Sequence, residues 1–255
     1  MTNQTALVTG ASSGIGWEIA KELARKRFDL VLVARREDKL QELAALLSPH
    51  VNVTVLPFDL SQPEAPHQLF DALDGRQIDV LINNAGFADY GPFVESDAQK
   101  MSAMLEVNIV ALTKLTRLFL PPMVERKAGR IMNVASVAAY FPGPLMSVYY
   151  ASKAYVLSFS EALINEVEGT GVTITCLCPG ATTSEFQGVA GMGESKLIQN
   201  VMVTSKAVAQ KGVRAMLRGD GVYLPGLNNR LITLVPRFLP RGALAPFIRR
   251  LQEKI

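Results

Sequence analysis

Apolar and polar positions follow two rhythms along this chain. Short runs dominated by Val, Leu and Ile occur at residues 5–8, 30–33, 51–55, 79–82, 130–135, 172–178 and 222–224. They are too short for helices, and their β-branched content suits buried strands. Between them lie longer stretches with apolar residues three and four apart. The stretch 14–26 places Ile15, Ile19, Leu23 and Ala24 on one helical face, and the spacing predicts further helices through Leu47, over 97–120, from Tyr149 to Val167 and over 205–217. Strand and helix alternate throughout, which predicts βαβ units and an α/β fold with a parallel, doubly wound sheet.

With 255 residues, 49% of them apolar, the chain can fill one large core, and no linker or repeat marks a second. No apolar run reaches the ~18 residues of a membrane span. The opening Met-Thr-Asn-Gln-Thr has neither a basic nor an apolar leader region, so no secretory signal is expected and the expected location is cytoplasmic. Cys176 and Cys178 would face one side of a strand as reduced core thiols. His50 and His67 read as surface residues, without metal-ligand spacing. A net charge of +3 gives no argument for a nucleic-acid partner.

Two features change the picture from fold to chemistry. Tyr149 and Lys153 are four apart and share a helical face, a spacing that by itself is more often that of two solvated side chains. A phenol beside a fixed ammonium can work as a general acid or base, because the cation stabilises the phenolate. Ser136, at the end of the 130–135 strand, can reach the same substrate oxygen. The second feature is the turn after the first strand, with glycines at 10, 14 and 16 opening a helix. Such a turn lets a pyrophosphate approach the free N–H groups of a helix N-terminus.

Taken together, Thr9-Gly-x-x-x-Gly14-Ile-Gly16, Asn83-Asn-Ala-Gly86, Ser136 and Tyr149-x-x-x-Lys153 resemble, in order and spacing, the short-chain dehydrogenase/reductases. The resemblance spans Thr9 to about Thr182. It implies strand order 3-2-1-4-5-6-7 and an NADP(H)-dependent oxidoreductase moving hydride between a nicotinamide and a carbonyl or secondary alcohol. Tyr149 would be the acid in reduction and the base in oxidation. Lys153 would lower its pKa and hold the nicotinamide ribose, Ser136 would orient the substrate oxygen, and Asn108 would complete the tetrad by supporting a proton relay. Cofactor contacts are expected from Gly10, Ser12, Ser13, Gly14, Ile15 and Gly16 at the first turn. Asp59 and Leu60 would lie beside the adenine, and Asn83, Ala85 and Gly86 beside the nicotinamide ribose, although Asn83 could equally be a structural hydrogen-bonder. Pro179, Gly180 and Thr182 would cover the nicotinamide. At the end of the second strand the family's acidic position falls on Ala34 and is followed by Arg35, which favours a 2′-phosphate and therefore NADP. A catalytically silent NADP(H) sensor is the alternative reading, but it would need the glycine turn without Tyr149 and Lys153.

The remaining pattern concerns substrate and surfaces. Tyr90, Phe93, Phe141, Leu145 and Met146 fall in segments expected to border the site and argue for an apolar carbonyl or alcohol substrate. Residues 182–204 mix glycines with Phe186, Val189, Met192, Leu197 and Met202, which suits a lid over an apolar ligand and equally a disordered surface loop. The helix bearing Tyr149 has more apolar surface than one sheet contact needs, so a homodimer or homotetramer is expected. Residues 1–226 would form the dinucleotide-binding domain and 227–255 a C-terminal extension. That extension reads as two short basic amphipathic helices capping the pocket mouth, with a membrane-surface contact as the less favoured alternative.

Overall fold

A computed structural model describes residues 3–183 and 203–252. Seven parallel strands form one sheet: β1 (Thr5–Thr9), β2 (Asp29–Ala34), β3 (Val53–Pro57), β4 (Val80–Asn83), β5 (Gly129–Val134), β6 (Val172–Leu177) and, at the far edge, β9 (Val222–Tyr223). Their spatial order is β3-β2-β1-β4-β5-β6-β9, with every neighbouring pair parallel. This is the expected doubly wound order. The order reverses between β1 and β4, and the crevice beyond the strands' C-terminal ends at such a reversal is where ligands bind in this architecture.

The two faces of each strand explain the continuous apolar runs. In β1, Ala6 and Val8 point into one layer and Leu7 into the other, and Leu30 and Leu32 of β2 separate from Val31 and Val33 in the same way. The first layer is closed by α1 (Gly14–Arg25), α2 (Glu37–Leu47) and α7 (Ser205–Arg218), through Ile19, Leu23, Leu40, Leu43, Val208 and Val213. The second is closed by α3 (Ala65–Asp71) and α5 (Leu112–Glu125), with Leu69, Leu115 and Phe119 buried. Helix α6 (Ser147–Glu166) packs beside α4 (Ala98–Leu105) and carries Tyr149 and Lys153.

Two sequence expectations need correction. The predicted single helix over 97–120 is α4 and α5 joined by a π-helical turn, Glu106–Ala111. Asn108 lies in that turn, and one wide turn shifts the helical phase so that its amide faces inward. The third strand begins two residues later than its apolar run suggested, at Val53. Of the expected lid, residues 184–202 lie outside the described residues. Its ends, β7 (Thr182–Thr183) and β8 (Val203–Thr204), pair in parallel with each other. The thiols of Cys176 and Cys178 are buried and 3.8 Å apart, and both histidines are exposed, as expected.

The C-terminal extension comprises α8 (Leu227–Ile232), a 3₁₀ turn at Val235–Arg237 and α9 (Arg241–Gln252). In α9, Leu244 and Ile248 are buried. In α8 and the following turn Leu227, Leu231, Leu234 and Phe238 are exposed, while Ile232 of α8 reaches the cavity described below.

Candidate active site

A cavity of about 530 Å³ opens at the C-terminal ends of the strands, directly over the β1/β4 reversal. At its floor, Thr9 Oγ1 donates to the carbonyl of Ile82 and accepts from the N–H groups of Asn84 and Ala85, each at 3.0 Å. Asn84 Nδ2 returns to the carbonyls of Thr9 and Gly10. The turns after β1 and β4 are thereby fastened to each other. The glycine at position 16 is required by this closeness: a Cβ there would stand 2.4 Å from Asn84 Nδ2 and 2.3 Å from the Gly10 carbonyl oxygen. Gly10 has φ +65°, which a residue with a side chain rarely adopts. The bare turn leaves the start of α1 open to an anion, so the residues fit a dinucleotide's pyrophosphate.

Most of the expected cofactor residues meet at this cavity. Gly10, Ser12, Ser13, Gly14 and Ile15 line its β1 end, and Arg35, Asp59 and Leu60 the β2–β3 end. Ala85, Gly86, Pro179, Gly180 and Thr182 line the opposite side. Arg36, outside the expected set, also lines the cavity, and its guanidinium lies 3.3 Å from the Ser12 hydroxyl. The Asp59 carboxylate accepts from the Ser61 N–H and hydroxyl through Oδ1, which fixes its orientation. Gly16 lies behind the wall. Asn83 is the clear departure from the expected set. It is buried, outside the cavity lining, and donates to Thr116 Oγ1 and Asn133 Oδ1, both at 3.0 Å. The end of β4 turns its side chain toward α5 and β5, and the next asparagine takes the cavity side.

Ser136, Tyr149 and Lys153 line the cavity together. Ser136 caps the 3₁₀ turn Val137–Tyr140 by accepting from the Ala138 N–H, and its hydroxyl is hydrogen-bonded to that of Tyr149. Lys153 Nζ donates to the Val134 carbonyl at 2.8 Å. Asn108 lies just behind them. Its amide is held by Phe87, accepting from the N–H and donating to the carbonyl, and it also donates to Ser152 Oγ. Ser152 in turn donates to the Tyr149 carbonyl at 2.7 Å, so Asn108 supports the backbone that carries the tyrosine. A Cβ at Gly86 would stand 3.0 Å from Asn108 Oδ1 and 3.5 Å from Lys153 Nζ, which makes this glycine the spacer between the two. Sequence reasoning did not single out Ser152. A serine on the buried face of an otherwise apolar helix was the available signal.

The electrostatics depart from the expected lowering at Tyr149. Burial pushes its phenol well above the ordinary value, the Ser136 hydrogen bond pulls partway back, and neighbouring Tyr150 adds to the rise. Burial also lowers Lys153, to about 8. Both groups are costly to ionise where they sit, so Tyr149 holds its proton near neutral pH.

The outer part of the cavity is apolar. Phe141 and Met146 line it as expected, joined by Tyr150 and, from the extension, Ile232, Ile248 and Leu251. Helix α9 is tied in by Gln252, which is fully buried. Its backbone carbonyl accepts from Tyr90 Oη at 2.8 Å and its side-chain amide donates to Tyr150 Oη. Tyr150 meets the Tyr149 ring edge-on at 6.1 Å, so α9 is linked to Tyr149 through one residue. Leu145, next to Met146, holds φ +66°, a strained conformation for a branched side chain. Its carbonyl accepts from the Gly91 N–H, which binds this loop to the segment after Gly86. Phe93, expected at the site, is 62% exposed instead.

With this geometry established, comparisons assign the family. A profile described as short chain dehydrogenase matches residues 4–194. A very-long-chain 3-oxoacyl-CoA reductase of Phaeosphaeria nodorum is 38% identical over 81% of this chain, which spans only 62% of that protein's length. The ketoacyl reductase HetN of a Nostoc species is 37% identical over 96% of this chain and 86% of its own. A short-chain dehydrogenase from Sphingobium yanoikuyae, solved in complex with NADPH, superposes with a TM-score of 0.84 at 34% identity, covering 92% of this chain and 93% of that one. On the matched profile, the relatives and the shared fold, the chain belongs to the short-chain dehydrogenase/reductase family of oxidoreductases.

Proposed function

We propose that this chain is an NADPH-dependent reductase of apolar ketones, with a 3-oxoacyl compound as the favoured substrate class. The observation that carries the reading is one cavity holding Ser136, Tyr149 and Lys153 at its inner end and Phe141, Met146, Ile232, Ile248 and Leu251 farther out. A polar apex beneath an apolar sleeve suits a carbonyl on a greasy chain. The names of the Phaeosphaeria and Nostoc relatives, both reductases of oxoacyl groups, point the same way.

Arg35 and Arg36 at the end of β2, with Ala34 in place of an acid, favour the 2′-phosphate of NADP(H) over the free 2′-hydroxyl of NAD(H). The cofactor supplies hydride when bound. The residues of the chain supply position, charge and a proton. Ser136 donates a hydrogen bond to the substrate oxygen and holds it beside Tyr149. As negative charge develops on that oxygen, the phenol delivers its proton to it. The raised phenol pKa keeps this proton available at neutral pH, and an alkoxide is basic enough to take it. Lys153 places a positive charge against the phenolate that results, and Asn108, through Ser152, fixes the turn of α6 from which Tyr149 projects.

The protein acts as a homodimer or homotetramer on this reading. Tyr155 and Phe159 stack at 5.7 Å, Tyr155 and Leu105 are exposed, and these residues offer an apolar subunit contact. Light scattering on the purified chain tests the assembly. NADPH oxidation against ketones of graded length tests the substrate class. Turnover should rise with acyl length, and a preference for small charged keto acids would refute the proposal.

A further inference from the structure

The apolar residues of the C-terminal extension have two opposite fates. Leu244 and Ile248 are 3% and 5% exposed. By contrast Leu227, Leu231 and Phe238 are 71%, 57% and 83% exposed, and Ile232, Leu234, Leu239 and Phe247 lie between 41% and 45%. Among the described residues these are seven of the twelve large exposed apolar side chains, gathered within residues 227–247. Isolated exposed leucines are ordinary, but a cluster marks a surface with a partner. Charge is concentrated in the same place. Six of the chain's 26 basic residues and one of its 23 acidic ones fall in 227–255, so this segment carries +5 and the rest of the chain −2. Arg237 and Arg250 are exposed beside the apolar residues. Ile232 belongs to both settings, since it is partly exposed and also lines the cavity.

We propose that this face docks on the surface of an anionic lipid bilayer. Leucine and phenylalanine would enter the interfacial layer while the arginines meet lipid phosphates. A second copy of the chain is the less suitable occupant, because a twofold contact would set each patch's arginines against their own copies. Among the described residues no helix is long and apolar enough to cross a membrane, so the contact is with the surface. Because Ile232 joins the patch to the cavity, an apolar substrate could pass from the lipid into the site. That consequence rests on the proposed function, whereas the docking does not.

The test uses the full chain with vesicles of phosphatidylcholine alone or mixed with phosphatidylglycerol, read by co-sedimentation. Binding should be at least about tenfold stronger to the anionic vesicles and should fall with added salt. The R237E/R250E pair should weaken it at least about tenfold. F238S should weaken it as well, with the melting temperature and activity on a water-soluble ketone unchanged in both variants. Equal binding to both vesicle types, no binding, or variants that bind like the wild type would overturn the proposal. So would a dimer in light scattering that F238S dissociates while the wild type leaves vesicles unbound, since the face would then belong to a second copy. Vesicle binding is measured without turnover, so its failure is distinct from failure of the reductase assignment.

Discussion

The Lys153 ammonium nitrogen lies 5.8 Å from the centre of the Tyr149 ring, and both side chains are buried. Neither group is ionised cheaply in that position. On the proposed mechanism their pairing becomes favourable only when negative charge appears on the phenol oxygen, which is when proton transfer needs it. An interaction that strengthens as the reaction proceeds lowers the barrier rather than merely tightening binding.

Lys153 sits at about 8, well below an exposed lysine, because burial penalises its charge. Its charged form therefore prevails below that pH and is lost above it. Reduction at saturating NADPH should hold level toward pH 7, and kcat/KM should then fall through a limb near pH 8. In Lys153→Met the rate should be lower by about 10²-fold or more and this limb should be absent. A limb that persists in the Met variant would assign it to another group.

NADPH should be preferred to NADH by at least about tenfold in kcat/KM, the effect of one charge-assisted hydrogen bond of ~1.5–3 kcal/mol. The double change Ala34→Asp with Arg35→Leu should narrow or reverse that ratio, since it adds a like charge and removes a donor. A wild type that prefers NADH would refute the assignment.

Gly16→Ala should damage cofactor binding and stability together. Its Cβ would meet the Gly10 carbonyl oxygen at 2.3 Å, and a backbone oxygen cannot swing aside. The strain is expected to cost ~1–3 kcal/mol. A melting temperature and NADPH affinity equal to wild type would show that the two turns are not locked as described.

Gln252→Ala should loosen α9. The variant leaves the Tyr150 hydroxyl without its buried donor, at a cost of ~1–3 kcal/mol. KM should rise for long or bulky ketones, which depend on the wall formed by Ile248 and Leu251, more than for small ones. Equal changes across a size series would remove α9 from any role in specificity.

Much of this architecture was legible in the sequence, because two-sided strands read as continuous apolar runs and each helix repeats at its own period. The Tyr149–Lys153 pair was legible through spacing, since the two are neighbours on a helix wherever that helix lies, whereas Ser136 and Asn108 were joined to it only by the family resemblance. What sequence did not convey was set by tertiary phase. Asn83 and Asn84 are adjacent and chemically identical, and only the end of β4 decides which one faces the core. The π turn around Asn108 leaves no mark in an apolar pattern. Gln252 and Tyr150 are 102 positions apart, beyond any local rule. Regular spacing likewise promised a buried apolar face for α8, yet Leu227 and Leu231 are exposed.

The central claim is that Tyr149 is the proton donor in carbonyl reduction, and Tyr149→Phe tests it most directly. The measurement is kcat/KM for NADPH-dependent ketone reduction, alongside NADPH affinity by fluorescence titration. The account predicts a loss of ~10²–10⁴-fold in kcat/KM with NADPH affinity nearly unchanged, because the ring still packs while the proton is gone. Activity above about a tenth of wild type, with the cofactor still bound, would contradict it.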